Sequence, residues 1–326
     1  MTSYPEILAG LIEGRHKWLV TGSAGFIGSH LAEALLSIGQ EVTGLDDLSK
    51  GHRENLPASP AFTFIEGSIT DIETCREAVR GCEYVLHHAA LASVPESLAD
   101  PLRYHEVNAS GFVNILQASR EAGVRRVVYA SSSAVYGDDE VMPKQEASIG
   151  KPLSPYAMTK YINEVYAEFF TRVYGFECVG LRYFNVFGPR QDPNGAYAAV
   201  IPRWIDAVTS GKVPVIYGDG EQSRDFCAVQ NVVKANILAA FASGAEGRVF
   251  NIGCGVRTSL NELLGKIYAV FAPDKEAKCK YEAPRAGDIL HSWASTALAE
   301  EVLNFTPSIY LEEGLRIIHD YQTEKA

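Results

Sequence analysis

Tyr4, Ile7, Leu8 and Leu11 recur at helical spacing within a mixed polar and apolar stretch, 1–17, which predicts a short helix laid over the first strand. Behind it the pattern alternates. Short apolar runs without strict polar interruption stand at 18–21, 41–45, 62–66, 84–89, 126–131 and 177–182, each followed by a helical pattern or a turn. Runs of that kind suit strands covered on both faces, and helices between them supply the crossovers of a parallel sheet. The first half therefore reads as a Rossmann-like, doubly wound α/β fold, with one helix at 26–38 and another running to Tyr174. Past Arg182 the pattern turns to Gly, Pro and aromatic-rich loops, with a helix near 202–210 and a strand at 213–217. Helix 229–242 and strand 249–252 resume the rhythm before a less regular region from Thr258 onward. Two interleaved domains are expected: 1–182 with about 226–257, and a smaller one of 183–225 with about 258–326 that closes over the C-terminal strand edges.

Composition narrows the partners. The chain of 326 residues carries 29 Lys plus Arg against 40 Asp plus Glu, a net charge of -11, and no block of five like charges. Nucleic acid is not expected as a partner, since phosphate binding needs concentrated positive charge, whereas a few local Arg could still hold a small anion. The six cysteines form no C-x-x-C pair and show no metal-ligand spacing with the eight histidines. They read as small apolar residues in a reducing compartment. No stretch approaches 18 apolar residues and no charged-then-apolar leader opens the chain, so a cytoplasmic protein without membrane contact is expected.

Between the first strand and the first helix stands Thr21-Gly22-Ser23-Ala24-Gly25-Phe26-Ile27-Gly28, a G-x-x-G-x-x-G run. Glycines there permit a tight turn and let backbone N–H groups approach a pyrophosphate at a helix N-terminus; a purely structural glycine turn is the alternative. Asp46 lies eighteen residues past Gly28, close to the spacing of a ribose-binding acid. A carboxylate there accepts a 2'-hydroxyl and repels a 2'-phosphate, which favours NAD over NADP. Lys50, His52 and Arg53 downstream leave NADP open, and an acidic turn at Asp46-Asp47 is the plain reading.

Tyr156 and Lys160 are four apart, behind Pro155 at a helix start, so phenol and ammonium share a face. A phenol with an ordinary pKa near 10 is a poor base at neutral pH unless something favours its phenolate, and Lys160 is expected to supply that charge. Tyr321 and Lys325 match the same spacing in what reads as a frayed tail. The pair at 156 gains weight from the fifth strand, whose end carries Ser131-Ser132-Ser133 and should face a cofactor crevice.

With these motifs the chain resembles the extended short-chain dehydrogenase/reductases, and within them the UDP-sugar 4-epimerases. The resemblance runs over essentially the whole chain. It rests on the glycine run, His88-Ala89-Ala90, Val107-Asn108, the 131–137 segment, Tyr156 to Lys160, the 182–189 run Arg-Tyr-Phe-Asn-Val-Phe-Gly-Pro, Arg224-Asp225-Phe226 and Arg285-Ala286-Gly287-Asp288. The 195–202 and 287–292 segments are most similar to bacterial epimerases acting on UDP-N-acetylhexosamines for surface polysaccharides. The resemblance implies Tyr156 as the base that takes the sugar 4-OH proton while hydride passes to NAD, Lys160 on the nicotinamide ribose, and Ser132, with Ser133 beside it, on the 4-oxygen. A 4-keto sugar then turns over and receives hydride on its other face. Cofactor residues implied are Gly22, Ala24, Gly25, Phe26, Ile27, Gly28, Asp46, Asp47, Ser68, Ile69, Ala89, Ala90, Asn108, Ser131, Tyr156, Lys160 and Tyr183. On the substrate side, Ser93, Ser132 and Asn185 would hold the sugar-phosphate, and Ala199, Val200, Trp204 and Tyr217 the uracil. Arg224 and Arg285 would neutralise the diphosphate, with Asp288 and Ser292 beside them.

Ser292 is small where epimerases limited to UDP-glucose and UDP-galactose tend to be bulky, which implies room for a 2-acetamido group; simply starting a helix near Ala294 is the alternative. Arg224 as half of a surface ion pair with Asp225, and Trp204 as plain core, are likewise open. Ser68 departs from the usual Asp near the adenine, so that contact would pass to Asp71 or the backbone; Ala92 stands where Gly is frequent, and Leu290 where Arg is. His87 and His88 read as packing. A 4,6-dehydratase needs an Asp/Glu pair where Ser133 and Ala134 stand, a UDP-glucuronate 4-epimerase remains open, and a non-catalytic NAD-binding protein would be expected to lack Tyr156 or Lys160. A homodimer through a four-helix bundle is expected from 101–122 and 156–174, which carry apolar residues on more than one face.

Overall fold

The computed structural model describes residues 3–193, 199–284 and 289–325. Helix α1 (Tyr4–Glu13) opens on Ser3, whose hydroxyl accepts from the Glu6 N–H while the Glu6 carboxylate accepts from the Ser3 N–H. This reciprocal cap sets the start of the helix, and Ile7 and Leu11 face inward. Then come β1 (Lys17–Thr21), α2 (Phe26–Ser37), β2 (Glu41–Asp46), β3 (Phe62–Glu66), α3 (Ile72–Ala78) and β4 (Tyr84–His87). Next are α4 (Val94–Ala99), α5 (Pro101–Tyr104), a π-helical turn (His105–Ser110), α6 (Gly111–Glu121), β5 (Arg126–Ser132), α7 (Pro155–Tyr174) and β6 (Glu177–Tyr183).

The remainder holds β7 (Val186–Phe187), α8 (Val200–Thr209), β8 (Val215–Tyr217), β9 (Ser223–Arg224), β10 (Cys227–Ala228), α9 (Val229–Phe241) and β11 (Val249–Ile252). It ends with β12 (Thr258–Ser259), α10 (Leu260–Phe271), β13 (Lys280–Glu282), β14 (His291–Ser292), α11 (Ala297–Leu303) and α12 (Leu311–Lys325).

Seven strands form one parallel sheet in the order β11-β6-β5-β4-β1-β2-β3. The order reverses between β1 and β4, and a crevice opens outside the carboxyl ends at such a reversal. One face is covered by α1, α2, α9 and α11 around Trp18, Leu31, Leu35 and Phe250. The other is covered by α3, α6 and α7 around Phe112, Ile115 and Tyr129. A separate apolar core joins α8, α10 and α12 through Ile201, Trp204, Leu263, Ile267 and Leu315.

Several expectations shift. Residues 84–89 pair in the sheet only to His87, because the amides of His88 and Ala89 turn to the Thr21 hydroxyl. Strand 213–217 begins at Val215, after a proline that has no N–H to donate. The single helix expected over 101–122 is interrupted by the π turn, whose wider coil carries Asn108 inward. The region after Thr258 is largely regular helix, since α10 and α12 each bury an apolar face in the third core. Tyr321 and Lys325 sit in α12, not in a frayed tail, with the ammonium 4.6 Å from the ring centroid.

Candidate active site

At the topological reversal lies a cavity of about 560 Å³, walled by the glycine turn, the ends of β2, β4 and β5, and the inner face of α7. The glycines are required by the backbone's own close approach. A Cβ on Gly28 would stand 2.0 Å from the Gly22 carbonyl oxygen, and one on Gly22, held at φ +69°, would stand 2.8 Å from the Ala89 nitrogen. Gly25 caps α2 without a side-chain hydrogen bond, so the first-turn N–H groups are left for an anion. Asp46 closes the far side. One of its oxygens accepts from the Ala24 N–H at 2.9 Å, the other from the Leu48 N–H at 2.8 Å. Burial pushes this carboxyl above its ordinary range, and the two backbone bonds pull against that. Each oxygen keeps a lone pair for a ribose hydroxyl. The downstream cations are committed elsewhere, Lys50 to Glu96 and Arg53 to Glu66. The site therefore fits a dinucleotide with a free 2'-hydroxyl.

Helix α7 starts sharply because the Ser154 hydroxyl accepts from the Ala157 N–H and Pro155 occupies the first position. That start presents Tyr156 to the cavity. The Ser132 hydroxyl accepts from the Ala134 N–H at 3.1 Å and lines the cavity together with Tyr156. Burial pushes the phenol above its ordinary value, and the bond from Ser132 pulls it back. Lys160 stands one helical turn further along α7. Its ammonium donates to the Ala130 carbonyl at 2.8 Å, and burial draws it down to about 8. It stays mostly protonated at neutral pH, fixed against the end of β5.

His88 also lines the cavity, stacked on Tyr183 with its Nε2 2.8 Å from the Tyr183 hydroxyl. Burial lowers it to about 3, so the ring is neutral and acts as packing and as a hydrogen-bonding group. His87 is neutral for the same reason, with Nδ1 2.9 Å from the Thr21 hydroxyl.

A family model described as NAD dependent epimerase/dehydratase family matches residues 18–253. A UDP-glucose 4-epimerase of Mycolicibacterium smegmatis is 41% identical over 91% of this chain and 95% of that protein. Among solved structures, a UDP-N-acetylglucosamine 4-epimerase from Methanobrevibacter ruminantium, in complex with UDP-N-acetylmuramic acid, superposes with a TM-score of 0.91. It is 41% identical, covering 96% of this chain and 99% of that one. A UDP-glucose 4-epimerase from Thermotoga maritima with UDP-glucose gives 0.89 at 39% identity, covering 95% and 99%. The chain belongs to the NAD-dependent epimerase/dehydratase family. NAD is accordingly the expected cofactor.

Against that membership, the cofactor residues expected from sequence all line the cavity except Ala24 and Asn108. Ala24 is fully buried and serves through its backbone, toward Asp46, His52 and Asn55. Asn108 lies one layer behind, where its amide exchanges both hydrogen bonds with the Leu91 backbone and also donates to Thr159. Ser68 reaches the cavity with its hydroxyl paired to Thr70, and Asp71 is used up as the cap of α3. Ser131 reaches the cavity wall, but its hydroxyl points to Glu164.

The substrate-side residues divide. Ser132 and Asn185 line the cavity, and Asn185, strained at φ +22°, donates to the Asp225 carbonyl. Ser93 stands beside the cavity as the cap of α4. Trp204 is core: it is buried among Ile201, Ile205 and Ile216, and its indole donates to the Val215 carbonyl, so it does not frame a ligand pocket. Ala199 and Val200 begin α8, and Tyr217 ends β8. Arg224 and Ser292 are register partners in the β9–β14 pair. Asp225 does not form a surface pair with Arg224. It is buried, accepts three backbone N–H groups from Cys254, Gly255 and Ala294, and is raised to about 6 by that burial. Ser292 lies in β14 ahead of the helix that begins at Ala297, so it does not start one. Arg285 and Asp288 lie outside the described residues.

Sequence reasoning missed Val107, Gly51 and Gln191 as lining residues. Gly51 could have been found, as a glycine just past an acid: a Cβ there would stand 2.9 Å from an Asp46 oxygen. Gln191, whose amide donates to the Val186 carbonyl, carried no local signal.

Proposed function

We propose that the protein is an NAD-dependent UDP-sugar 4-epimerase whose preferred substrates are UDP-N-acetylglucosamine and UDP-N-acetylgalactosamine. The observation that carries the reaction class is that Ser132, Tyr156 and Lys160 line the same cavity as the glycine turn. Bound NAD would take hydride from C4 and return it. The residues' own work is to move a proton and hold oxygens. Tyr156 accepts the 4-OH proton, and Ser132 then donates to the resulting carbonyl oxygen. Lys160 contributes a fixed positive charge at the ribose side, while Asp46 holds the adenosine ribose and the α2 N-terminus faces the pyrophosphate. Because the same hydride is returned, no external reductant is consumed.

The acetamido preference rests on Ser292, beside Arg224 at the β9–β14 edge, where a small side chain leaves room that a Tyr would fill. The M. ruminantium structure supports that reading by its name, whereas the T. maritima one acts on the unsubstituted sugar, so the assay must offer both. In this reading 1–182 with about 226–257 would hold NAD, and 183–225 with about 258–326 the UDP-sugar. We place the protein in the cytoplasm on its six unpaired cysteines. We also assign it a homodimer, because Met158, Val165, Tyr166 and Val173 leave an apolar stripe open along α7, with Leu98 and Leu102 on the neighbouring α4 and α5. Sedimentation tests this assignment: Val165→Glu should give monomers, and a monomeric wild type would end it.

The deciding assay offers each UDP-hexose with no added reductant and separates the C4 epimers. Tyr156→Phe should bind NAD normally and lose nearly all turnover; turnover equal to wild type would remove the base. Ser292→Tyr should depress activity on the acetamido sugar far more than on UDP-glucose. Equal losses would remove the specificity reading.

A further inference from the structure

Helix α7 carries three polar groups in line on its buried face, because steps of four residues drift only about 40° around the axis. Two of them, Tyr156 and Lys160, belong to the site. The third is Glu164, buried and without a part in the proton transfer. Its carboxylate accepts the Ser131 hydroxyl at 2.5 Å and a bidentate pair from Arg182, Nε at 2.9 Å and Nη2 at 2.7 Å. Ser131 and Arg182 are register partners at the ends of β5 and β6. The same guanidinium donates to the Tyr136 hydroxyl at 3.1 Å and lies 4.9 Å from its ring centroid. One ion pair therefore grips both ends of the segment Ser131 to Tyr136, and that segment contains Ser132.

Stability is a weak reason to keep such a pair, since a buried ion pair is often no better than apolar packing of the same volume. Its placement supplies another reason. The helix that bears Tyr156 and the strand end that bears Ser132 are separate elements, and the two side chains come together on one cavity wall. We infer that Glu164, with Ser131 and Arg182, is a positioning clamp that fixes the Ser132 hydroxyl against the Tyr156 phenol. The inference rests on Tyr156 being the base. The charged and titratable groups facing the clamp are Tyr129 on β5, Tyr136 and the Glu146 carboxyl, which feels Arg182; the Glu146 backbone carbonyl also accepts from Arg182, and Lys160 is the cation beside Tyr156 on α7.

Ser131→Ala is the informative variant, because it leaves the Glu164–Arg182 pair whole and should fold. The kcat should fall about tenfold, as for a misplaced catalytic group, with KM within about twofold. A merely structural role would not produce the second result: in a Ser132→Ala background the same change should have no further effect, because its action runs through Ser132. Ultraviolet difference titration, wild type minus Tyr156→Phe, follows the phenol without any turnover, and Ser131→Ala should move it to higher pH. Additive losses in the double variant, or an unmoved phenol titration, would overturn the clamp. If wild type converts no UDP-hexose, the functional reading falls, while the titration still decides the clamp.

Discussion

Removing the Ser132 hydroxyl takes away a group that opposes the burial of the Tyr156 phenol. It also leaves the Ala134 N–H without its partner, at a stability cost of about 1 kcal/mol. A hydrogen bond to a charged group contributes about 1.5–3 kcal/mol, which at about 1.4 kcal/mol per decade is a 10- to 150-fold loss of kcat in Ser132→Ala. The sign with pH follows from the base's role. With Tyr156 as the proposed base, working deprotonated, a phenol that holds its proton more tightly moves the acid limb of the kcat profile to higher pH. Part of the lost rate should then return on alkalisation. The assay is steady-state conversion of a UDP-hexose between about pH 6 and 9, with a thermal melt to confirm folding. A kcat within twofold of wild type and an unmoved acid limb would refute the reasoning, because the hydroxyl would then be neither tuning the phenol nor holding the 4-oxygen.

Two further outcomes follow from the same geometry. Gly28→Ala puts a methyl 2.0 Å from one backbone atom and 2.7 Å from another, neither of which can rotate away, so the turn itself must open. Strain of about 1–3 kcal/mol should weaken NAD binding by roughly 5- to 150-fold in equilibrium dialysis; wild-type affinity would mean the turn is not the pyrophosphate seat. The second concerns acid. His88 is held near 3 in the fold against an ordinary 6.5, so its contribution is present above pH 6.5 and is lost as pH falls, by about 1.4 kcal/mol per unit. Urea midpoints should drop between pH 6.5 and 4.5 in wild type and drop less in His88→Asn; equal slopes would exclude His88 as the acid-labile group.

How much of this was readable without coordinates depends on the range of each interaction. The seven strands, the glycine turn and the Tyr156/Lys160 face were legible because each is a local pattern: buried parallel strands are short apolar runs, a turn tighter than a Cβ allows must be glycine, and a helix repeats every 3.6 residues. Asp46 was legible as a fixed distance from the turn. Trp204 was not, since a large aromatic near a loop looks the same whether it meets a ligand or, as here, Ile201 and Val215. The interrupted helix at 105–110 was hidden too, because its cause is Asn108 reaching a backbone seventeen positions away.

The sequence by itself determined the class of fold and the glycine turn, and it placed Tyr156 and Lys160 on one face of a helix. Tertiary structure alone decided that Ser132 and Tyr156 share one cavity wall, that Ser131 turns away toward Glu164, and that Asp225 is a buried hub for two backbone segments, Cys254-Gly255 and Ala294. The reason is physical: pKa values and hydrogen-bond partners depend on distance and burial between residues far apart in the chain, and no local spacing encodes those.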